Sequence, residues 1–241
     1  MVETNFIIKE RLHLKITYFG HSVILVEHGQ DSIIIDPFIN GNPHTNVKVE
    51  NIKVNYIYVT HGHGDHLGDT VELAKRNDAT VIAPVELATW ISWQGVKVVP
   101  MHIGGEKEFS FGKLKLVEAI HGSSIVDEEN KQIINVGPPS GVLLKIAGKT
   151  IYHAGDTALY RGMKTLGEYE KIDLAYLPIG NHFTMGIDDA VIASEWINAQ
   201  KVIPMHYNTF PPIQVDPNEF LAKLPKHNGF IHEPNTTISL L

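Results

Sequence analysis

Short apolar runs typical of β-strands recur along the chain, and those at residues 14–19 and 113–120 alternate apolar with polar residues at the period of a strand. The first predicted strand covers residues 14–19. Residues 22–27 and 32–36 surround a four-residue connection that contains a glycine, which predicts a β-hairpin ending on an aspartate. Residues 140–156 repeat this pattern and also end on an aspartate. Further strands are predicted at residues 54–59, 80–83, 96–100, 106–111 and 113–120, within 173–183, at 202–205 and at the end of the chain.

Helical spacing of apolar residues follows several of these strands. One predicted helix has Asp65 as its N-cap and ends near Asn77. Another begins at Pro84 and ends near Trp93, and its two tryptophans at helical spacing are predicted to be core residues. Two later helices are predicted around residues 190–197 and 218–223.

The two halves of the chain follow one order of elements: a hairpin, a further strand and a helix. This repeat predicts an α/β (α+β) fold, a four-layer αββα sandwich of two similar halves that forms one domain over residues 14–241. Residues 1–13 lack periodicity and are expected to be either a genuine short extension or sequence upstream of the natural start. The polar segment 122–139 predicts a long loop, typical of a lid over a site.

The composition restricts the kinds of ligand and binding site that the chain can have. The chain of 241 residues is 43% hydrophobic with a net charge of −7, which argues against a broad basic surface for nucleic acid. It contains no cysteine, so a metal site must use His, Asp or Glu. No apolar run approaches a membrane span and the N-terminus lacks a secretory pattern, so we expect a cytoplasmic protein with a small-molecule substrate.

The sequence HGHGDH at residues 61–66 is the strongest chemical signal. It places His61, His63, Asp65 and His66 in one turn after a predicted strand, with glycines that let the backbone bend. Imidazole and carboxylate together suit zinc, iron, nickel or manganese. A solvated polar loop is the competing interpretation.

Three further candidate ligands each follow a strand pattern, where a rigid scaffold meets a free loop. They are His121, Asp156 and His206. With the four from HGHGDH they make seven, more than one zinc ion needs and enough for two metal ions.

These motifs resemble the metallo-β-lactamase superfamily, whose pattern is HxHxDH followed by a His, an Asp and a last His. The supporting stretches are TYFGHS, IIDPF, THGHGDH, HGSS, HAGDT, GNHFTMG and PMHYNTFP. Within the superfamily the chain is most similar to a small family of metal-dependent hydrolases related to ascorbate-6-phosphate lactonase. The resemblance implies the metallo-β-lactamase fold and a metal-dependent hydrolase, and it makes a homo-oligomer plausible.

The resemblance also implies roles for individual residues. His61, His63 and His121 would hold one ion, Asp65, His66 and His206 a second, and Asp156 would bridge them. Asp36 would orient a ligand imidazole by accepting its other N–H. Zinc is the first choice, with manganese, iron or nickel open. Asp65 or Asp156 would accept a proton from the attacking water.

Two loop histidines lie outside this set. His21 and His182 are expected at the same edge, each either touching substrate or supporting the site or being structural, and His182 is the better candidate for protonating a leaving group. His153 is expected in the core or behind the site. The remaining histidines, His13, His28, His44, His102, His227 and His232, are expected at the surface.

The predicted reaction is hydrolysis of a small ester, lactone or phosphoester by a water activated between two metal ions. The alternative is an RNA or DNA phosphodiesterase with the same two-metal site, which the acidic composition disfavours. A non-catalytic metal-binding module is a third interpretation, which the complete ligand set disfavours. The substrate itself is not specified by any of these motifs.

Overall fold

A computed structural model describes residues 14–240 as two β-sheets packed face to face, with helices on the outer faces. This confirms the predicted α/β sandwich of two sheets flanked by helices. The predicted extension, residues 1–13, lies outside the described residues. Among the described residues no helix is long and apolar enough to cross a membrane.

The first sheet has seven strands in the order β15-β1-β2-β3-β4-β5-β6. Its hairpin β2–β3 is antiparallel, and β3 to β6 then run parallel to one another. The C-terminal strand β15 pairs antiparallel with β1 and closes the edge of the sheet. The strands are β1 (Leu14–Tyr18), β2 (Ile24–His28), β3 (Asp31–Ile35), β4 (Tyr56–Tyr58), β5 (Thr80–Pro84), β6 (Val98–Met101) and β15 (Thr236–Leu240).

The second sheet has six strands in the order β14-β13-β12-β11-β8-β7. Its hairpin β11–β12 is antiparallel and is followed by the parallel strands β13 and β14, as in the first sheet. Residues 106–111 and 113–120, predicted as separate strands, form an antiparallel pair that meets at a tight turn. The strands are β7 (Glu106–Phe109), β8 (Gly112–Glu118), β11 (Ser140–Ile146), β12 (Lys149–His153), β13 (Leu174–Pro178) and β14 (Lys201–Met205).

The helices differ from the predictions mainly at their ends. His63 rather than Asp65 caps the first short helix, and Asp65 lies inside its first turn. Pro84 ends β5, and the following helix starts one residue later. A helix over Gly162–Tyr169 has no predicted counterpart. The helices are α1 (Gly64–Leu67), α2 (Thr70–Asn77), α3 (Val85–Ser92), α4 (Gly162–Tyr169), α5 (Ile187–Ile197) and α6 (Pro217–Lys223), with 3-10 turns at Val49–Asn51 and Pro211–Ile213.

Successive side chains of a strand point to opposite faces, and this places the core in layers. Ile33 and Ile35 of β3 join the core shared by the two sheets. Ile34, between them, joins the core under α2 and α3, where it shares a cluster with Leu73 and Leu87. Both faces of the sheet are therefore buried, which is typical of a sheet with parallel strands and helical cover.

Three expectations were wrong. Segment 122–139 is not an open loop but contains a two-stranded antiparallel hairpin, β9 (Ser124–Asp127) and β10 (Gln132–Asn135). Trp93 is 74% exposed, because it follows the last residue of α3 and leaves the buried face. His232 is buried, not at the surface, because its ring lies between the Tyr176 hydroxyl and the Thr236 carbonyl.

Candidate metal centre

The chemistry-bearing residues lie after strands that run in one direction. Strands β1, β3 and β4 of the first sheet share a direction, as do β8, β12, β13 and β14 of the second. Their carboxyl ends therefore meet at one edge of the sandwich. Backbone and side-chain hydrogen bonds join the sheets there, from Ser140 N to Thr60 O at 3.0 Å and between Tyr58 OH and Ser140 Oγ at 2.6 Å.

One group of donors contains three imidazoles. Nε2 of His61 and Nδ1 of His63 are 3.0 Å apart, and the ring of His121 lies 5.2 Å from that of His61 and 5.0 Å from that of His63. His61 is fully buried, whereas His63 and His121 are half-buried at the surface of the cluster. One ligand atom from each lies within 4.8 Å of the others.

A second group surrounds Asp156. Its Oδ2 lies 3.0 Å from Nε2 of His206 and 3.5 Å from Nε2 of His121, and its Oδ1 lies 3.3 Å from Nε2 of His66. Asp65 Oδ2 lies 3.8 Å from Nε2 of His206. Asp156 thus stands between the two groups. All seven predicted ligands meet at this edge: His61, His63, Asp65, His66, His121, Asp156 and His206.

Several buried polar atoms of the cluster lack hydrogen-bond partners and are suited to bind a cation. Nε2 of His66, Nε2 of His206 and Oδ1 of Asp156 have no hydrogen-bond partner among residues 14–240, although each lies beside another cluster atom. Buried polar atoms are normally paired, and such groups need an explanation. Imidazole nitrogens and carboxylate oxygens aimed at a common point are what divalent transition metals bind. The donor set therefore fits metal binding.

Electrostatics divide the imidazoles into two classes. Burial, with the nearby His66, lowers the pKa of His61 well below its usual value, and burial likewise lowers the pKa of His63 and of His121. For His206, burial opposes the charged form, but Asp156 raises the pKa to about 9. For His66, burial is also outweighed, and Asp156 and Asp36 raise the pKa well above normal. Without a cation, His66 and His206 would therefore bind protons.

Asp36 supports the cluster from behind. This fully buried carboxylate accepts hydrogen bonds from the backbone N–H and the hydroxyl of Thr60, both at 2.8 Å. It also lies 2.8 Å from Nδ1 of His66, which must carry the proton because a carboxylate only accepts. The ring orientation of His66 is thereby fixed, with Nε2 directed at Asp156.

The remaining loop histidines take different positions. His21 is fully buried against the cluster, 3.1 Å from Asp65 Oδ2. It was left out of the predicted ligand set, yet its ring nitrogen lies within 4.8 Å of ligand atoms of Asp65, His66 and His206. His153 is buried, and its Nε2 donates to Ser22 O at 2.8 Å. His182 lies on an exposed turn after β13, and its side chain makes no hydrogen bond or ion pair with the cluster in the described part of the chain.

The sequence matches a known family. A family model described as a beta-lactamase superfamily domain matches residues 31–207. The chain belongs to the metallo-β-lactamase superfamily. A superfamily relative, a UPF0173 metal-dependent hydrolase of Bacillus cereus (strain B4264), is 57% identical over 227 residues, 94% of this chain and all of the relative. The chain is thus a metal-dependent hydrolase of that family.

Two solved structures are similar to this chain in fold. A novel metallo hydrolase, Igni18, from the archaeon Ignicoccus hospitalis is 35% identical, with a TM-score of 0.85 over 95% of this chain and 99% of the other. An isothiocyanate hydrolase from Delia radicum gut bacteria is 18% identical, with a TM-score of 0.73 over 94% and 98% of the two chains. At that identity the second likeness shows the fold alone.

Proposed function

We propose that this hydrolase uses two divalent metal ions, with zinc the first choice and manganese, iron and nickel as alternatives. His61, His63 and His121 would hold one ion, and Asp65, His66 and His206 the other, with Asp156 shared. The observation that carries the proposal is the position of Asp156, whose two oxygens face imidazoles of both groups at 3.0–3.5 Å. Two such ions, when bound, would lower the pKa of a water toward about 7 and stabilise negative charge on the attacked group.

The side chains then have distinct tasks. Asp65 is 27% exposed and is the more accessible of the two carboxylates, so it is placed to accept a proton from the attacking water. Asp156 is 3% exposed and serves chiefly to hold the two groups together. His182, on the exposed turn after β13, would donate a proton to the leaving group as the bond between that group and the attacked centre breaks.

The substrate class that we propose is a small ester, lactone or phosphoester. The net charge of −7 disfavours a long nucleic acid, whose binding relies on clustered Lys and Arg. In the described residues the charged contacts of the cluster are between His and Asp, with no Lys or Arg ion pair to them. A relation to ascorbate-6-phosphate lactonase, proposed from the motifs, points to the lactone among these.

A substrate panel tests the proposal. Protein loaded with zinc or manganese is assayed with bis-p-nitrophenyl phosphate, a homoserine lactone, nitrocefin and a labelled RNA oligomer. We expect turnover of the lactone or the phosphodiester that disappears in Asp156→Asn and persists in Asp173→Asn, a matched change of a carboxylate that pairs with Lys149 away from the cluster. Turnover of RNA alone would favour the nuclease, and turnover unaffected by Asp156→Asn would refute the site.

A further inference from the structure

His21 is held against the cluster by its own backbone. It lies in the turn between β1 and β2 with φ at +56°, a left-handed conformation that costs a residue other than glycine about 1–2 kcal/mol. Its carbonyl accepts hydrogen bonds from Tyr18 OH at 2.9 Å and from His206 N at 2.7 Å. Strain of this kind persists where the surroundings over-determine the conformation, and it is concentrated at functional sites.

Both nitrogens of the buried His21 ring have partners. Nδ1 lies 2.9 Å from Thr209 Oγ1, and Nε2 lies 3.1 Å from Asp65 Oδ2. The ring also packs on that of His206 with centroids 4.1 Å apart. Phe38 and Phe210 meet it edge-on at 5.6 and 5.5 Å. The side chain therefore has little freedom to rotate.

The partners determine where the proton lies. A carboxylate offers no donor, so Nε2 of His21 must carry the hydrogen in its contact with Asp65. The neutral ring then accepts the Thr209 hydroxyl proton at Nδ1. Since Nε2–H points at Asp65, that nitrogen has no lone pair to offer a metal ion. In this respect His21 differs from His66 and His206, whose Nε2 atoms lack a partner in residues 14–240.

We propose that His21 is a positioning residue for the second metal group, acting through Asp65 and His206. This inference rests on the proposed two-metal function. The Nε2–H of His21 restrains one carboxylate oxygen of Asp65, and the close packing of its tilted ring restrains the rotation of His206. None of the described contacts of the His21 side chain reaches His61, His63 or His121. Its loss should weaken one metal position and spare the other.

Cobalt titration tests this role without relying on activity. Wild type, His21→Ala and His21→Gln are titrated with Co²⁺ by calorimetry and visible absorption. We expect two cobalt ions in each, with the affinity for one ion about 10–100-fold weaker in His21→Ala, as is typical when an outer partner of a ligand is lost. His21→Gln, whose side-chain amide can still donate to Asp65, should recover part of the affinity. At saturation the d–d bands should match those of wild type.

His232→Ala is the matched control, since it removes a buried histidine bonded on both nitrogens away from the cluster. It should leave cobalt binding unchanged. Equal cobalt affinities in His21→Ala and wild type would overturn the positioning role. Altered d–d bands at saturation would overturn it too, because His21 would then be a ligand. A wild-type protein that binds fewer than two cobalt ions would instead contradict the proposed dinuclear site.

Discussion

Replacing Asp36 by asparagine should weaken metal binding by changing which nitrogens carry protons. Asp36 accepts from the Thr60 hydroxyl, so that hydroxyl can only accept from Nδ1 of His61, 2.9 Å away. Asp36 also accepts a hydrogen bond from Nδ1 of His66. One carboxylate thus keeps Nε2 of His61 and Nε2 of His66 free of protons, and each belongs to a different donor group.

An asparagine cannot reproduce this pattern. If its oxygen keeps the bond from Thr60 N, its NH₂ group faces the Thr60 hydroxyl and Nδ1 of His66, where acceptors are required. His66 would then move its proton to Nε2, the nitrogen that should bind metal. A hydrogen bond to a charged group contributes about 1.5–3 kcal/mol, and 1.4 kcal/mol corresponds to a tenfold change in affinity. We therefore expect about 10–100-fold weaker binding.

The assay is zinc binding by calorimetry, with metal content measured after dialysis. Asp69→Asn is the matched control, because Asp69 accepts from Ile39 N and Asn40 N in the adjacent loop and does not contact the cluster imidazoles. It should bind zinc like wild type. Unchanged affinity in a folded Asp36→Asn protein would refute the assignment of protons.

Three further changes test other parts of the structure. His182→Gln should lower kcat by about 100-fold or more with metal content unchanged, and wild-type kcat would refute its role as an acid. Burial lowers the pKa of His232, so the folded state binds fewer protons and stability falls as pH drops below 6.5. Urea unfolding measures the free energy of unfolding at pH 7.5 and 5.5. Between these pH values it should fall less in His232→Gln than in wild type, by at most about 1.4 kcal/mol per pH unit, and equal falls would contradict this. Gly62→Ala would bring Cβ into a clash with Val136 Cγ2 and should cost about 1–3 kcal/mol, whereas Gly64→Ala meets nothing within 4 Å and should cost less than Gly62→Ala.

Local pattern was enough to predict the strands and the edge where the site lies. Apolar residues mark the strands, alternating with polar residues where one face is buried and forming continuous runs where both faces are. A polar residue at or just after the end of a strand must lie at a sheet edge. This holds for Asp36 and His206, which follow their strands directly, and for His121 and Asp156, which lie three residues after theirs. The repeated hairpin order added the prediction of two similar sheets, which the pairing of β2–β3 and β11–β12 matches.

Long-range partners are what local pattern cannot supply. His232 is buried because Tyr176, 56 residues away, lies within hydrogen-bond distance of its ring. The hairpin β9–β10 was missed because its paired residues Val126 and Ile133 are 58% and 78% exposed and stand among polar neighbours. A signal was present in the paired apolar residues Ile125-Val126 and Ile133-Ile134 around a polar turn.

The supporting residues make the two metal positions separable by mutation. Asp36 acts on His66 directly and on His61 through Thr60, so its loss should weaken both positions. The proposed ligands that His21 contacts are Asp65, His206 and His66, all of the second group, so its loss should weaken one position. At a free cobalt concentration just high enough to fill both positions of wild type, the number of bound ions should therefore fall from two to one in His21→Ala. In Asp36→Asn it should fall below one. A greater loss of cobalt in His21→Ala than in Asp36→Asn would contradict the assignment of Asp36 to both metal positions and of His21 to one.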